Sequence, residues 1–430
     1  MGGKLEKLEQ RPPHTIFTRR HEVLDKISQY PSFLAKQVLI FPSNYLAKPL
    51  EDFLKKVRQS PGQAMRMPIQ LRWGGGLGAT AQAIQVIATW ACLEDSSRSL
   101  RLPESFALQK ASRERFGSTV TGMAALYFAN EIVCESQPFS RFEALEVMVP
   151  RIQAMQTGAY RDTLRGHGAA LCCFIGAKNE FLAPLYARPR AGEVREVTDF
   201  RVLLTRVLSQ LSIRDDALNE GQLDYLSGLL YQLFLNADEH GSFDAAGERY
   251  EKGLRGIALR VLTVTDVKSL VEVAGDDAAF KAYLIKQAFT TKAKHPDSAI
   301  EQTPFASFRL LEISVFDTGP GLGLRWLSEQ SGCRDYSEIS HEQELSAVQT
   351  CFQKHATTKA SQFKGQGLSM ALQALKRLNA FMTLRTGRLS LYQDFSRSDT
   401  TEFLPKNRFT SLRRPAEIAG TSYSICFKVA

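Results

Sequence analysis

The 430-residue sequence contains no run of about 20 apolar residues, so no stretch of it is long enough to cross a bilayer as a helix. Residues 1–14, MGGKLEKLEQRPPH, are charged and carry no apolar core, which excludes a signal peptide there. Cysteine is sparse: there are seven, Cys172 and Cys173 being neighbours, and no two make a C-x-x-C pair. No Cys/His set has zinc-ligand spacing, and His341-Glu342 is not followed by the second histidine of a zinc peptidase helix. A scattered, odd set of thiols predicts reduced cysteines and a cytoplasmic chain with no membrane partner. No G-K-S/T triplet closes a glycine loop, so a Walker phosphate loop is excluded. Repeats and low-complexity tracts are absent as well.

What the sequence has is an ordinary globular composition, 44% hydrophobic and 23% charged. At about 100–200 residues per domain it predicts two domains. The net charge is +9, and most of the excess is N-terminal: 26 Lys and Arg against 19 Asp and Glu in residues 1–200, 28 against 26 afterwards. Such a spread reads either as a solvated surface or as a face for a polyanion such as nucleic acid. One denser stretch, Ser396–Gly420, combines Arg397, Lys406, Arg408, Arg413 and Arg414 with Phe403 and Phe409. It fits a surface loop, or a contact with nucleic acid or a protein partner.

The hydrophobic pattern predicts an α/β chain. In the first half, Gln37–Phe41, Pro68–Trp73 and Gly168–Gly176 read as strands, and Thr80–Ala91 and Thr119–Cys134 as apolar helices. Gly74–Gly78 lies between strand and helix; with no Lys or Ser/Thr at the offset a phosphate loop requires, it reads as a tight turn. Residues 1–190 are therefore expected to form an α/β domain, joined to the rest by the polar stretch 187–198. Its element order loosely suggests a small sulphate-transporter/anti-sigma-antagonist-like module with a regulatory or partner-binding role. In the second half, helices are expected at Phe200–Leu211, at about Gln222–His240, over a helical insertion at Val267–Phe289, and at Glu342–Lys354. Strands are expected at Gly256–Thr265, Phe308–Phe316 and Thr421–Val429.

Three constellations carry chemistry. Asp317-Thr318-Gly319-Pro320-Gly321 follows an apolar strand directly: a carboxylate at a strand end can accept a hydrogen bond from an exocyclic amine, and the glycines let a ligand approach the backbone. Gly365-Gln366-Gly367-Leu368-Ser369 opens a helix, where free N–H groups and the positive dipole end favour phosphate. Asn236, in Asn236-Ala237-Asp238-Glu239-His240-Gly241, sits on a helix and offers a hard oxygen suited to Mg²⁺. Taken singly, each is also satisfied by a turn, a cap or a polar helix face.

Their order makes the pattern specific. Helix asparagine, strand-end Asp-x-Gly-x-Gly, His355-Ala356-Thr357-Thr358-Lys359, Gly-x-Gly helix start and Gly420-Thr421 before a last strand follow one another over about 200 residues. This resembles the Bergerat ATP-binding fold of the gyrase, heat-shock chaperone, histidine kinase and mismatch-repair superfamily, most closely its histidine-kinase-like branch. The resemblance implies, for residues 200–430, an α/β sandwich with a mixed sheet and helices on one face, binding ATP and Mg²⁺. It implies that Asp317 receives the adenine amine, with Gly319 and Gly321 shaping the base pocket and Thr421 supporting it. Asn236 would coordinate Mg²⁺ against the phosphates, with His240 on the same nucleotide-facing motif. Thr358, Lys359, Gly365, Gly367 and Leu368 would belong to the lid and the phosphate cradle.

One position departs from the family. A glutamate usually stands four residues before the asparagine, as general base; here it is Gln232. A carboxamide cannot take up a proton at neutral pH, and general-base help is worth about 10²–10⁴-fold. Slow hydrolysis is expected unless Glu239, one turn after Asn236, substitutes. No phosphoacceptor helix is evident, His21-Glu22 having no following proline. The reading is an ATP- and Mg²⁺-dependent switch acting on the N-terminal domain, a protein partner or a second copy. Its rivals are an active ATPase or protein kinase of His or Ser, and an ATP-gated nucleic-acid clamp.

Overall fold

The computed structural model of the chain describes residues 38–93, 96–166, 168–188, 192–290, 305–353, 367–397, 401–409 and 414–429. The first half runs β1 (Leu39–Ile40), β2 (Asn44–Tyr45), α1 (Ala47–Gln59), β3 (Met65–Arg66), β4 (Arg72–Trp73), α2 (Ala79–Cys92) and β5 (Ser99–Leu102). Three helices follow, α3 (Glu104–Leu108), α4 (Lys110–Gly117) and α5 (Val120–Phe128), then β6 (Glu131–Cys134), β7 (Gln137–Phe139), α6 (Arg141–Glu146) and α7 (Val149–Thr157). Next come β8 (Gly168–Phe174), β9 (Tyr186–Arg188), β10 (Glu193–Val194), α8 (Val197–Gln210) and α9 (Glu220–Gly241). The remainder is β11 (Leu254–Val264), α10 (Val267–Ala274), α11 (Ala278–Thr290), β12 (Phe308–Phe316), α12 (Leu322–Ser331), α13 (His341–Cys351), α14 (Gly367–Arg377), β13 (Phe381–Gly387), β14 (Leu389–Asp394), β15 (Lys406–Asn407) and β16 (Ile418–Val429).

Two sheets organise these elements, so the mixed α/β class holds. The smaller has the order β1-β3-β5-β6-β7, parallel except for its last hairpin. The larger has seven strands in the order β15-β14-β13-β16-β12-β11-β8. Every one of its pairings is antiparallel, which corrects the expectation of a mixed sheet. Hydrophobic pattern alone locates strands but does not give their sense, because side-chain alternation is the same in both.

Helices also cover both faces of the large sheet rather than one. Successive strand residues point to opposite sides. On β12, Leu311, Ile313 and Val315 meet Leu229, Leu233 and Phe234 of α9 and Leu372 of α14 in one core cluster. Phe308 and Leu310 join a second cluster with Leu270 and Val273 of α10 and Phe280 and Leu284 of α11. The helical insertion thus resolves into two helices that cap the far side. In the run FRLLEISVF every residue except Arg309 is buried, Glu312 and Ser314 included, as on a strand covered on both faces.

Helix α2 shares this second face with the insertion. The glycine turn before it presses on α10: the Gly76 amide donates to the Val273 carbonyl, and a Cβ on Gly75 would fall 2.1 Å from the Glu272 carbonyl oxygen. The glycines therefore serve a close backbone crossing.

β8 also departs from its expected place. It lies at the edge of the large sheet, pairing with β11 from Leu254↔Phe174 to Arg260↔Gly168. A buried apolar strand carries no label for the sheet it joins, so its position near the first-half elements in sequence was misleading. The described residues from Leu39 onward accordingly pack as one compact body.

Candidate functional site

Helix α9 is the backbone of the site. It begins with a capping box, the Asn219 side chain accepting from the Gln222 amide while the Gln222 side chain accepts from the Asn219 amide. From there Leu226, Leu229, Leu230, Leu233, Phe234 and Ala237 bury one face. A stripe flanking it carries Gln232, Asn236 and His240 at four-residue spacing, so the three share a half-buried face over about 12 Å of helix.

The two ends of that stripe touch the two glycine motifs. At one end Gln232 meets the start of α14: a Cβ on Gly367 would lie 2.3 Å from the Gln232 Oε1. At the other end Gly319 packs against the helix terminus, where a Cβ would lie 2.9 Å from the Gly241 Cα and from the His240 carbonyl. Asn236 stands between them, half-buried, and no described residue hydrogen-bonds its carboxamide. Leu368 is buried in the core below α14.

Asp317 sits at the end of β12, 7% exposed. Its Oδ1 accepts from the Gly319 amide at 2.9 Å and from the Thr421 amide at 3.3 Å, which fixes the plane of the carboxyl. Its Oδ2 has no hydrogen-bond partner among the described residues. Burial pushes the Asp317 carboxyl up to about 7, while the two amides and the charge of Arg255 work in the opposite direction. Thr421 is held in turn, its hydroxyl 3.1 Å from that of Thr386, which accepts from the Leu322 amide at the start of α12. Gly321 lies in the same corner, where a Cβ would approach the Tyr336 hydroxyl and Thr386.

Asp238 is not part of this surface. It turns away to a buried cluster, accepting from Arg255 at 2.8 Å and from the Tyr186 hydroxyl at 2.5 Å, with Glu180 on the other side of the guanidinium. Glu239 is half-buried one turn from Asn236. Thr358, Lys359 and Gly365 lie outside the described residues.

The sequence motifs did not single out Gly241, Thr386 or Tyr336. Gly241 abuts Asp317 so closely that a Cβ would be 2.4 Å from the Asp317 Cβ. Its signal was present, a glycine ending the Asn236 motif. Thr386 and Tyr336 carried none.

The basic, aromatic stretch near the C-terminus is engaged with the fold at some positions, while Lys406 and Arg414 are exposed. Arg408 is buried and pairs with Asp277 at 2.7 Å, and Phe403 stacks on Phe352. Arg397 pairs with Asp394. Arg413 lies outside the described residues.

On the far side of the Thr318–Pro320 loop lies a cleft of ≈ 490 Å³, lined by Thr89, Cys92, Tyr250, Pro320, Tyr336 and Ala419 among others. Asp317 and Asn236 do not line it.

Two features bear on a nucleotide with Mg²⁺. The Asp317 carboxyl is fixed through Oδ1, and its Oδ2 has no hydrogen-bond partner among the described residues. Asn236 offers a free hard oxygen, and among the described residues no cluster of three or more His, Cys, Asp or Glu could hold a metal by itself, so Mg²⁺ here would depend on phosphate and water for its remaining ligands. No helix among the described residues is long and apolar enough to cross a membrane. Comparison of the chain with protein-family models, with curated proteins and with solved structures gives no match.

Proposed function

We propose that the chain is an ATP- and Mg²⁺-binding switch protein of the histidine-kinase-like type, whose nucleotide state is passed to its N-terminal elements or to a protein partner. The observation that carries this reading is the Asp317 carboxyl, clamped through Oδ1 by two amides, with Oδ2 unpaired among the described residues. A carboxylate so fixed selects a planar ligand that presents an N–H donor in one direction, as the adenine amine does. Supporting it is the face of α9, on which Asn236 lies between the Gly319 end and the Gly367 end. Asn236 would hold Mg²⁺ against the phosphates, and the helix start at Gly367 and Leu368 would receive them. Residues 322–364 would form the lid over the bound nucleotide.

Slow turnover follows from the same geometry. Gln232 takes the place of the base and packs on Gly367; it can orient a water molecule but not deprotonate it. Asp238 is held by Arg255, and Glu239 is the other carboxylate of the last turn.

Titration calorimetry with ATP, ADP and a non-hydrolysable analogue tests the reading. Asp317→Asn is expected to weaken ATP about ten- to a hundred-fold, the loss of a charge-assisted hydrogen bond. Equal affinity of the variant and the wild type would sink the assignment. Phosphate release by the wild type should be slow and should rise with Gln232→Glu; fast wild-type turnover makes the protein an enzyme rather than a switch.

A further inference from the structure

Helix α2 is apolar along nearly its whole length, yet it buries Gln85 completely and Thr89 to 2% exposure. Polar groups in such a place are costly unless hydrogen-bonded. Both aim at one short piece of chain. The Gln85 Nε2 donates to the Ala419 carbonyl at 3.1 Å and to the Arg385 carbonyl at 3.2 Å, and its Oε1 accepts from the Ser422 hydroxyl at 2.9 Å. The Thr89 hydroxyl accepts from the Ala419 amide at 2.8 Å and donates to the Gln85 carbonyl at 2.7 Å. Both backbone groups of Ala419 thus hydrogen-bond to side chains of α2.

The reason lies in the β13–β16 register. Thr386 faces Thr421 and Gly387 faces Ile418, so Ala419 and Gly420 are extra residues that bulge out of β16. One side of the bulge is gripped by α2. The other side grips the Asp317 loop: the Gly420 amide donates to the Gly319 carbonyl at 2.6 Å, and the Thr421 amide donates to the Asp317 Oδ1. The cleft of ≈ 490 Å³ opens where the end of α2, Ala419 and Pro320 meet. The bulge therefore has free volume beside it and depends on its hydrogen bonds for position.

We propose that Gln85 and Thr89 are positioning residues that set the Asp317 carboxyl through the Ala419–Gly420 bulge, making α2 the element through which the N-terminal layer and the nucleotide site sense one another. The inference rests on the reading of Asp317 as the base-binding carboxylate. A shift of α2 moves the bulge, and the bulge turns the carboxyl; occupation of Oδ2 by a ligand pulls on α2 in return, since coupling between sites is reciprocal.

The test uses the full chain with Thr89→Val, which keeps shape but removes the acceptor, Thr89→Ala as a variant that adds no bulk, and Thr89→Ser, which keeps the hydroxyl. Two quantities are read: the affinities for ATP and GTP, and hydrogen exchange of peptides covering residues 316–322 without nucleotide. Val and Ala are expected to weaken ATP about ten-fold, to narrow the preference for ATP over GTP, and to speed exchange in 316–322. Ser is expected to restore all three, which loss of packing alone does not explain. Wild-type exchange, affinity and base preference in both Val and Ala variants would overturn the proposal. A wild type that binds no nucleotide would instead refute the reading of Asp317, and the exchange data would then decide the positioning role alone.

Discussion

At the scale of single residues, the carboxyl of Asp317 decides most. Its ordinary value of 3.8 is raised to about 7 by burial. The unfolded chain then holds fewer protons on this group than the folded one across that interval. Its contribution to stability is therefore full below the ordinary value and is lost as pH rises through about 7. Ligand binding runs the opposite way, because the acceptor for an amine is the ionised form. With a midpoint near neutrality the ionised fraction rises from roughly a tenth to nine-tenths between about pH 6 and pH 8. ATP affinity should climb by up to about ten-fold over that range, and Asp317→Asn should flatten the climb; calorimetry across the series checks it. Asp317 was legible in the sequence because its motif is local. Its poise near neutrality was not, since it comes from burial, with the amides of Gly319 and Thr421 and the charge of Arg255 working against it, and most of these groups lie far away along the chain. Asp238 illustrates the same limit: helical geometry turns it off the Asn236 face, but nothing local foretells Arg255 as its partner.

At the scale of elements, the bulge in β16 is the most constrained backbone in the site. Gly420 has φ +71, and a Cβ there would stand 2.0 Å from the Asp317 carbonyl oxygen. Gly420→Ala combines backbone strain of order 1–3 kcal/mol with a collision against main chain that cannot rotate away. It should lower the melting temperature and weaken ATP together, as thermal melts and titrations on one preparation would show. Two elements were readable: β12 spans the run Phe308–Phe316 expected for it, and α9 extends the expected helix only slightly at each end; the helix expected over Thr119–Cys134 instead stops at Phe128 and gives way to strand β6. Periodicity did not reveal the antiparallel sense of the sheet, its second cover of helices, or the partner of β8. Those outcomes depend on which surfaces find one another, and an apolar strand buried on both sides gives no hint of it.

At the scale of the whole molecule, the layers are joined by charge as well as by apolar packing. Glu51 of α1 is fully buried and pairs with Arg385 of β13 at 2.6 Å. Arg385 also donates to the carbonyls of Gly387, Leu389 and Ala416. Asp277 and Arg408 form a second buried pair across the same face. Removing one partner strands the other charge without water, at a cost of about 3–5 kcal/mol. Glu51→Ala should shift urea unfolding by that amount as one cooperative transition; two separate transitions would mean that the first-half layer unfolds independently.

The placement of β8 has a practical consequence for anyone wishing to isolate the nucleotide-binding half. A chain begun at residue 200 keeps every motif residue but leaves out β8. The outer edge of β11 would then present the unpaired N–H and C=O groups that now meet Gly168–Phe174. A bare, apolar edge of that length is a template for any extended chain, including another copy of itself. Such a fragment should run as aggregates in size-exclusion chromatography, and one begun ahead of residue 168 should do so less. An inactive truncation would then report on a sticky edge rather than on the chemistry of Asp317.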